Sequence, residues 1–246
     1  MSLLLKTYHR DLSHSYTLGV FPTIELIKHK PQMVKKVILH SKGSGNAGVE
    51  KLNDICGRLG IPIVINDKLT LKLSKKEDCF AVGVFQKYTS QCLKGQNHVI
   101  LDHPSDMGNL GTIIRTVLGF GITNLGIIKP SVDIFNPKVI RASMGAIFRM
   151  NIEYYDDFDQ YRSSHENSVY LFALNKSATK LTNINCYQNS PYTLVFGNEG
   201  SGLGEEYENK GEYVIIPHTD SIDSLNLSVA VGISAQYFTK DLFSAG

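Results

Sequence analysis

Three short segments of the 246-residue chain combine small and polar residues in a way that could hold a ligand and act on it. The first is HPSDMGNLGTIIRT (103–116). Gly108 permits a tight backbone, Asn109 can cap a helix, and Arg115 follows a little under two helical turns later, on a neighbouring face. Ile113, Ile114 and Val117 surround Arg115. A guanidinium among apolar side chains needs an anionic partner, either a structural carboxylate or a substrate phosphate. The second segment is VFGNEGSGLG (195–204), where glycines after Phe196 allow a ligand to approach the backbone and Glu199 offers a carboxylate between them. Without a ligand it would read as a flexible hairpin-like loop. The third is IIPHTDSIDSLNLSVAVGI (215–233). Ser224 can cap the helix that begins there, and Asn226 in the first turn is an unusual choice unless its amide binds something or simply faces solvent.

The elements around these segments alternate between strand and helix patterns. In the second part, 99–102, 124–129, 169–174, 193–197 and 213–217 read as strands. Helices are expected from Leu110 to Leu118, from Asn136 to about Ala146 with Pro137 at the first helical position, and from Ser224 to Phe238. That alternation argues for an α/β fold with a mostly parallel sheet covered on both faces. The three segments would then lie at carboxyl ends of strands, where open α/β sheets bind ligands. In the first part, Phe21 to His29 and Gly48 to Leu59 read as helices. VKKVILH (34–40), a buried Ile61–Ile65 and FAVGVFQKY (80–88) read as strands. Thr89 to Asn97 is polar and reads as a linker.

Charge divides the chain in the same place. Residues 1–97 hold 15 Lys and Arg against 7 Asp and Glu, a net of +8, while 98–246 hold 10 against 16, a net of −6. A basic segment suits a polyanion, because neutralising phosphates releases counterions. Hydrophobic residues at 42 % and charged residues at 20 % are enough for a buried core and exclude a disordered chain. No apolar run reaches the length of a membrane span, and the start lacks the basic n-region and cleavage site of a signal peptide, so a cytoplasmic protein is expected. Cys56, Cys79, Cys92 and Cys186 form no C-x-x-C pair and read as reduced thiols. The histidines form no cluster with metal-ligand spacing. Tyr16, Phe21 and Tyr88 could stack on bases but suit a core better.

Together, in this order and spacing, the three segments resemble the motifs of the SpoU/TrmH family of RNA 2′-O-methyltransferases. N-x-G-x-x-x-R is met by Asn109, Gly111 and Arg115; G-x-E-x-x-G-L by Gly197, Glu199, Gly202 and Leu203. I-P followed by S-L-N-x-S is met by Ile216, Pro217, Ser224, Leu225, Asn226 and Ser228, and RASMGA (141–146) resembles the stretch between the first two motifs. The resemblance covers about residues 98–240. Two positions depart from it: Asp106 stands where the family usually has Asn, and His218 where it often has Met.

The resemblance implies a C-terminal parallel-sheet α/β trefoil knot over 98–246, a linker over 91–97, and a smaller ribosomal-protein-like α/β domain over 1–90 that binds RNA. It implies S-adenosylmethionine held by backbone groups near Leu174, Gly197, Ile216 and Leu225, a homodimer, and no metal. Asn109, Arg115, Glu199, Ser224 and Asn226 would carry or arrange the reaction on a ribose 2′-hydroxyl of ribosomal RNA or, alternatively, transfer RNA. Two other readings stay open. GSGNAG (43–48) follows a strand, precedes a helix and has Asp67 about 20 residues on, the fingerprint of a nicotinamide-dependent oxidoreductase. Asp106 and His218 would also suit an RNA-binding protein that has lost the reaction.

Overall fold

The computed structural model describes residues 5–175, 177–185 and 190–243; Cys186 lies outside them. The chain forms two compact units, one from the described residues of Met1–Tyr88 with Asp133–Arg149, the other from those of Thr89–Val132 with Met150–Gly246.

The first unit runs β1 (His14–Leu18), α1 (Val20–His29), β2 (Val34–Leu39), α2 (Ala47–Leu59), β3 (Ile63–Ile65), α3 (Asp67–Ser74) and β4 (Ala81–Gln86). Its sheet has the order β1-β4-β2-β3, with β4 antiparallel to β1 and β2, and β3 parallel to β2. Side chains alternate across the pleat. Val37 and Leu39 pack with Ile24 and Ile27 of α1 and Val49, Leu52 and Cys56 of α2. Ile38 belongs to a separate cluster with Tyr16, Val82, Val84 and Leu73 of α3. Helices therefore cover both faces. The third strand is not the buried one expected over Ile61–Ile65: it pairs only with β2 and leaves Ile65 69 % exposed. Tyr16 is core, whereas Phe21 is exposed.

The GSGNAG loop does connect β2 to α2, yet its polar groups are already engaged. Asn46 caps α2, its side-chain oxygen accepting from Gly48 and Val49 N–H at 3.0 and 3.2 Å, so these donors are not free for a pyrophosphate. Asp67 accepts from the Ser41 N–H and hydroxyl at 2.7 and 2.6 Å. The four-stranded mixed sheet is also not a doubly wound dinucleotide fold. Loop and carboxylate brace each other.

The second unit contains β5 (His98–Asp102), α4 (Met107–Gly119) and β6 (Asn124–Ile128). Residues 133–149 then belong to the first unit, where α5 (Pro137–Ala142) packs on β1. The helix expected to reach Ala146 stops at Ala142, because Met144 and Gly145 adopt left-handed φ of 52° and 79°. Phe135 and Phe148 of this segment stack edge-on against Phe85 of β4 at centroid distances of 5.9 and 5.4 Å.

The chain continues through β7 (Asn151–Tyr155), α6 (Phe158–Arg162), β8 (Ser168–Phe172), β9 (Thr179–Lys180), β10 (Tyr192–Phe196), β11 (Glu212–Ile215) and α7 (Leu227–Thr239). The seven strands form one sheet in the order β7-β6-β5-β10-β8-β11-β9, and every pair is parallel. β5 and β6 are buried along their whole length, as a parallel sheet covered on both faces requires. Because β10 lies beside both β5 and β8, the ends of β5, β8, β10 and β11 gather at one edge. α7 packs against α4 there. Among the described residues no helix is long and apolar enough to cross a membrane.

Candidate active site

At the end of β5, Asp102 is buried and receives a hydrogen bond from the Tyr207 hydroxyl at 2.9 Å. The chain turns through His103, whose φ is 48°, and enters α4. The helix cap is Asp106, not Asn109: its side chain accepts from Asn109 N–H at 2.7 Å. A short carboxylate satisfies the orphan donors as well as Asn does and complements the helix dipole. The departure at 106 therefore preserves the cap and leaves the Asn109 amide free to point elsewhere.

Along α4, Leu110, Ile113, Ile114 and Val117 turn into the core and Arg115 turns outward. Its sequence neighbours are apolar, but its environment is solvent, and it makes no hydrogen bond or ion pair with a described residue. The structural salt bridge that its neighbours suggested is absent among the described residues.

The loop after β10 closes on itself. Asn198 and Gly202 exchange backbone hydrogen bonds at 3.2 and 3.0 Å. A Cβ at Gly197 would lie 2.1 Å from the Gly202 carbonyl carbon, and Gly202 has φ +70°, so both positions need glycine. Asn198 donates through Nδ2 to the His103 carbonyl at 2.7 Å, tying this loop to the end of β5.

Asn226, not Ser224, caps α7: its Oδ1 accepts from the Ser228 N–H at 2.9 Å and hydroxyl at 2.7 Å. Its Nδ2 donates to Asn109 Oδ1 at 3.2 Å, and Asn109 Nδ2 donates to Glu199 Oε1 at 3.4 Å. Glu199 Oε2 also accepts from the Ser105 hydroxyl at 3.0 Å. Each amide therefore accepts on one side and donates on the other, and the run of hydrogen bonds ends on a carboxylate. Partial burial pushes the Glu199 carboxyl up, but hydrogen bonds from its own backbone, Ser105 and Asn109 outweigh this and bring it below its ordinary value.

Beside this network lies a cavity of about 680 Å³, within the range of small-molecule sites. Phe172 and Phe196 line it and stack on each other with centroids 4.5 Å apart. Leu174, Gly197, Ile216 and Leu225 all line it, as do Asn109, Glu199, Ser224 and Asn226. Arg115 alone of the expected site residues does not. Ser105, Asn198 and the two phenylalanines had no sequence signal of their own beyond lying in or beside the glycine-rich and strand-end segments. Among the described residues no three His, Cys, Asp or Glu side chains are placed to hold a metal ion.

A parallel α/β sheet with a cavity and a polar relay at its carboxyl edge defines an α/β protein built to hold a small ligand beside reactive side chains. Residues 96–236 match the SpoU rRNA Methylase family, and the chain belongs to that family. It is 31 % identical over 137 residues to a Synechocystis protein described as an uncharacterized tRNA/rRNA methyltransferase, covering 55 % of this chain and 50 % of that one. It is 28 % identical over 140 residues to the Bacillus subtilis 23S rRNA (guanosine(2553)-2′-O)-methyltransferase RlmP, covering 55 % of this chain and 54 % of that one. The chain thus spans about half the length of both relatives. A crystal structure of an AdoMet-bound rRNA methyltransferase from Sinorhizobium meliloti superposes with a TM-score of 0.79 and 25 % identity, covering 94 % of this chain and 89 % of that one.

Proposed function

We propose that this protein transfers the methyl group of S-adenosylmethionine to a ribose 2′-hydroxyl of RNA, with ribosomal RNA preferred and transfer RNA the alternative. The observation that carries this reading is the meeting of three segments, separated in sequence, around one cavity through the Ser105–Glu199–Asn109–Asn226 hydrogen bonds. The cavity also fits the cofactor. It is lined by Gly197, Ile216 and apolar residues such as Phe172 and Phe196, and it carries Glu199 and Asp223 with no Lys or Arg among its described lining residues. Such a lining favours a cationic ligand.

The bound cofactor would supply an electrophilic methyl group on a positive sulfonium. The protein's part is to place the hydroxyl and manage its charge. Backbone groups at Leu174, Gly197, Ile216 and Leu225 hold the cofactor. Arg115, exposed and without a described partner, binds an RNA phosphate through its planar fork of donors and orients the hydroxyl; the O–CH3 bond would form as the S–CH3 bond breaks to leave S-adenosylhomocysteine, with the hydroxyl proton passing to solvent. Asn109, Glu199, Ser224 and Asn226 fix the edge on which cofactor and ribose meet.

The basic first part, assigned here as an RNA-binding domain over 1–90 with a linker over 91–97, supplies phosphate contacts. The methyltransferase domain is drawn over 98–246, apart from residues 133–149 that pack with the first unit, and follows a trefoil-knotted path. The placement of β10 between β5 and β8, with β11 beyond β8, supports that path. A cytoplasmic homodimer completes the reading. The homodimer part is supported by Val229 and Ile233, one turn apart on α7 and 48 % and 40 % exposed. Calorimetry with S-adenosylmethionine and methyl transfer to RNA lacking the modification test the proposal together: the wild type binds and transfers, and Asn109→Ala binds but transfers poorly. A wild type that binds no S-adenosylmethionine would overturn it.

A further inference from the structure

His218 lines the cavity from the loop that follows β11. Its Nδ1 lies 2.8 Å from the Ile216 carbonyl oxygen. A carbonyl oxygen only accepts, so Nδ1 carries the hydrogen, and in the neutral ring Nε2 keeps its lone pair. The charged groups that line the cavity with it are Glu199, from the loop after β10, and Asp223, from the segment before α7; Asp220 lies two residues further along its own loop. Nothing in the Asn109–Glu199–Asn226 network uses this imidazole.

We infer that His218 is a further cofactor-contacting residue, whose Nε2 accepts a hydrogen bond from a hydroxyl or amino group of S-adenosylmethionine. This rests on the cofactor reading above. The Met that the SpoU pattern often carries here offers only a weak thioether acceptor, so His218→Met removes the proposed contact. The contact also makes binding depend on pH. The protonated ring has two donors and no acceptor, and it sets a positive charge beside a cationic ligand.

The test is calorimetric titration of S-adenosylmethionine and S-adenosylhomocysteine into the full chain at about pH 8 and about pH 5.5. Wild type is compared with His218→Met and His218→Gln. Both variants keep Glu199, Asp220 and Asp223, so the titration of these groups and of the ligand cancels in the comparison. The wild-type Kd for S-adenosylmethionine should rise severalfold more than that of His218→Met between the two pH values. For S-adenosylhomocysteine, which lacks the sulfonium charge, the rise should be smaller but present. His218→Gln, with an amide oxygen to accept, should bind at both pH values without the extra rise. Superimposed wild-type and His218→Met profiles would overturn this inference alone. Absence of binding at about pH 8 would overturn the cofactor reading and this inference with it.

Discussion

Asn226 does two jobs with one amide, and substitutions can separate them. Its Oδ1 caps α7 and its Nδ2 holds Asn109. Asn226→Asp keeps the cap, since Asp and Asn cap equally well, but removes the donor. It should leave the unfolding midpoint in urea near that of the wild type while lowering the methyl-transfer rate. Asn226→Ala should lose the rate and about 1 kcal/mol of stability as well. Equal rates for Asn226→Asp and wild type would show that the Asn109 contact is incidental. Arg115→Ala touches neither core nor cap and should retain both stability and cofactor affinity, yet slow transfer by ~100-fold or more. The motifs revealed these residues but not their duties. Asn109 and Ser224 read as caps because capping is a local rule. Asp106 and Asn226 are the actual caps, because the helices begin at Met107 and Leu227. Arg115 read as needing an anionic partner because its neighbours in sequence are apolar, whereas the 3.6-residue period turns Ile113, Ile114 and Val117 into the core and Arg115 to solvent.

At the scale of elements, the glycine-rich loop must stay closed to shape the cavity. Gly197→Ala forces a methyl against the Gly202 backbone, so the loop opens. It should abolish cofactor binding in calorimetry while the far-UV spectrum is kept; wild-type affinity would show that the closed loop is dispensable. At the start of β5, His98 is wholly buried, contacting the Tyr161 hydroxyl at 2.8 Å and the Leu93 carbonyl at 2.9 Å. Burial brings its imidazole down to about 4. The unfolded chain therefore binds a proton that the folded chain refuses between about 6.5 and about 4. Stability should be full above about pH 6.5 and fall as pH drops through that window, by on the order of 3 kcal/mol. Urea unfolding at pH 7 and pH 5 should show the slope in wild type and a flatter one in His98→Gln. In the parallel sheet, β5, β6, β8, β10 and β11 were legible because they are short apolar runs bounded by turn residues. β1, β7 and α3 were not, because HSYTL, NIEYY and DKLTLKLS mix polar residues into patterns too weak to stand out. Burial against partners distant in sequence decides them.

Across the whole molecule, the charge division and the SpoU pattern split the chain near residue 97 and set 133–149 in the second part. The structure groups that segment with the first unit because Phe135 and Phe148 need Phe85. Lys87 also pairs there with Asp133 at 2.9 Å. Contacts made across such sequence distances leave no local pattern. A fragment starting at residue 97 should consequently expose these aromatics and elute as aggregates in size-exclusion chromatography, where the full chain gives one discrete species. The most direct test of the molecule's function is the position of label after incubation with methyl-labelled S-adenosylmethionine and ribosomal or transfer RNA lacking the modification. Nucleoside digestion should place the label in a 2′-O-methylnucleoside with wild type and almost none with Arg115→Ala. Label on a base, or equal ribose labelling by Arg115→Ala, would contradict ribose methylation centred on this site.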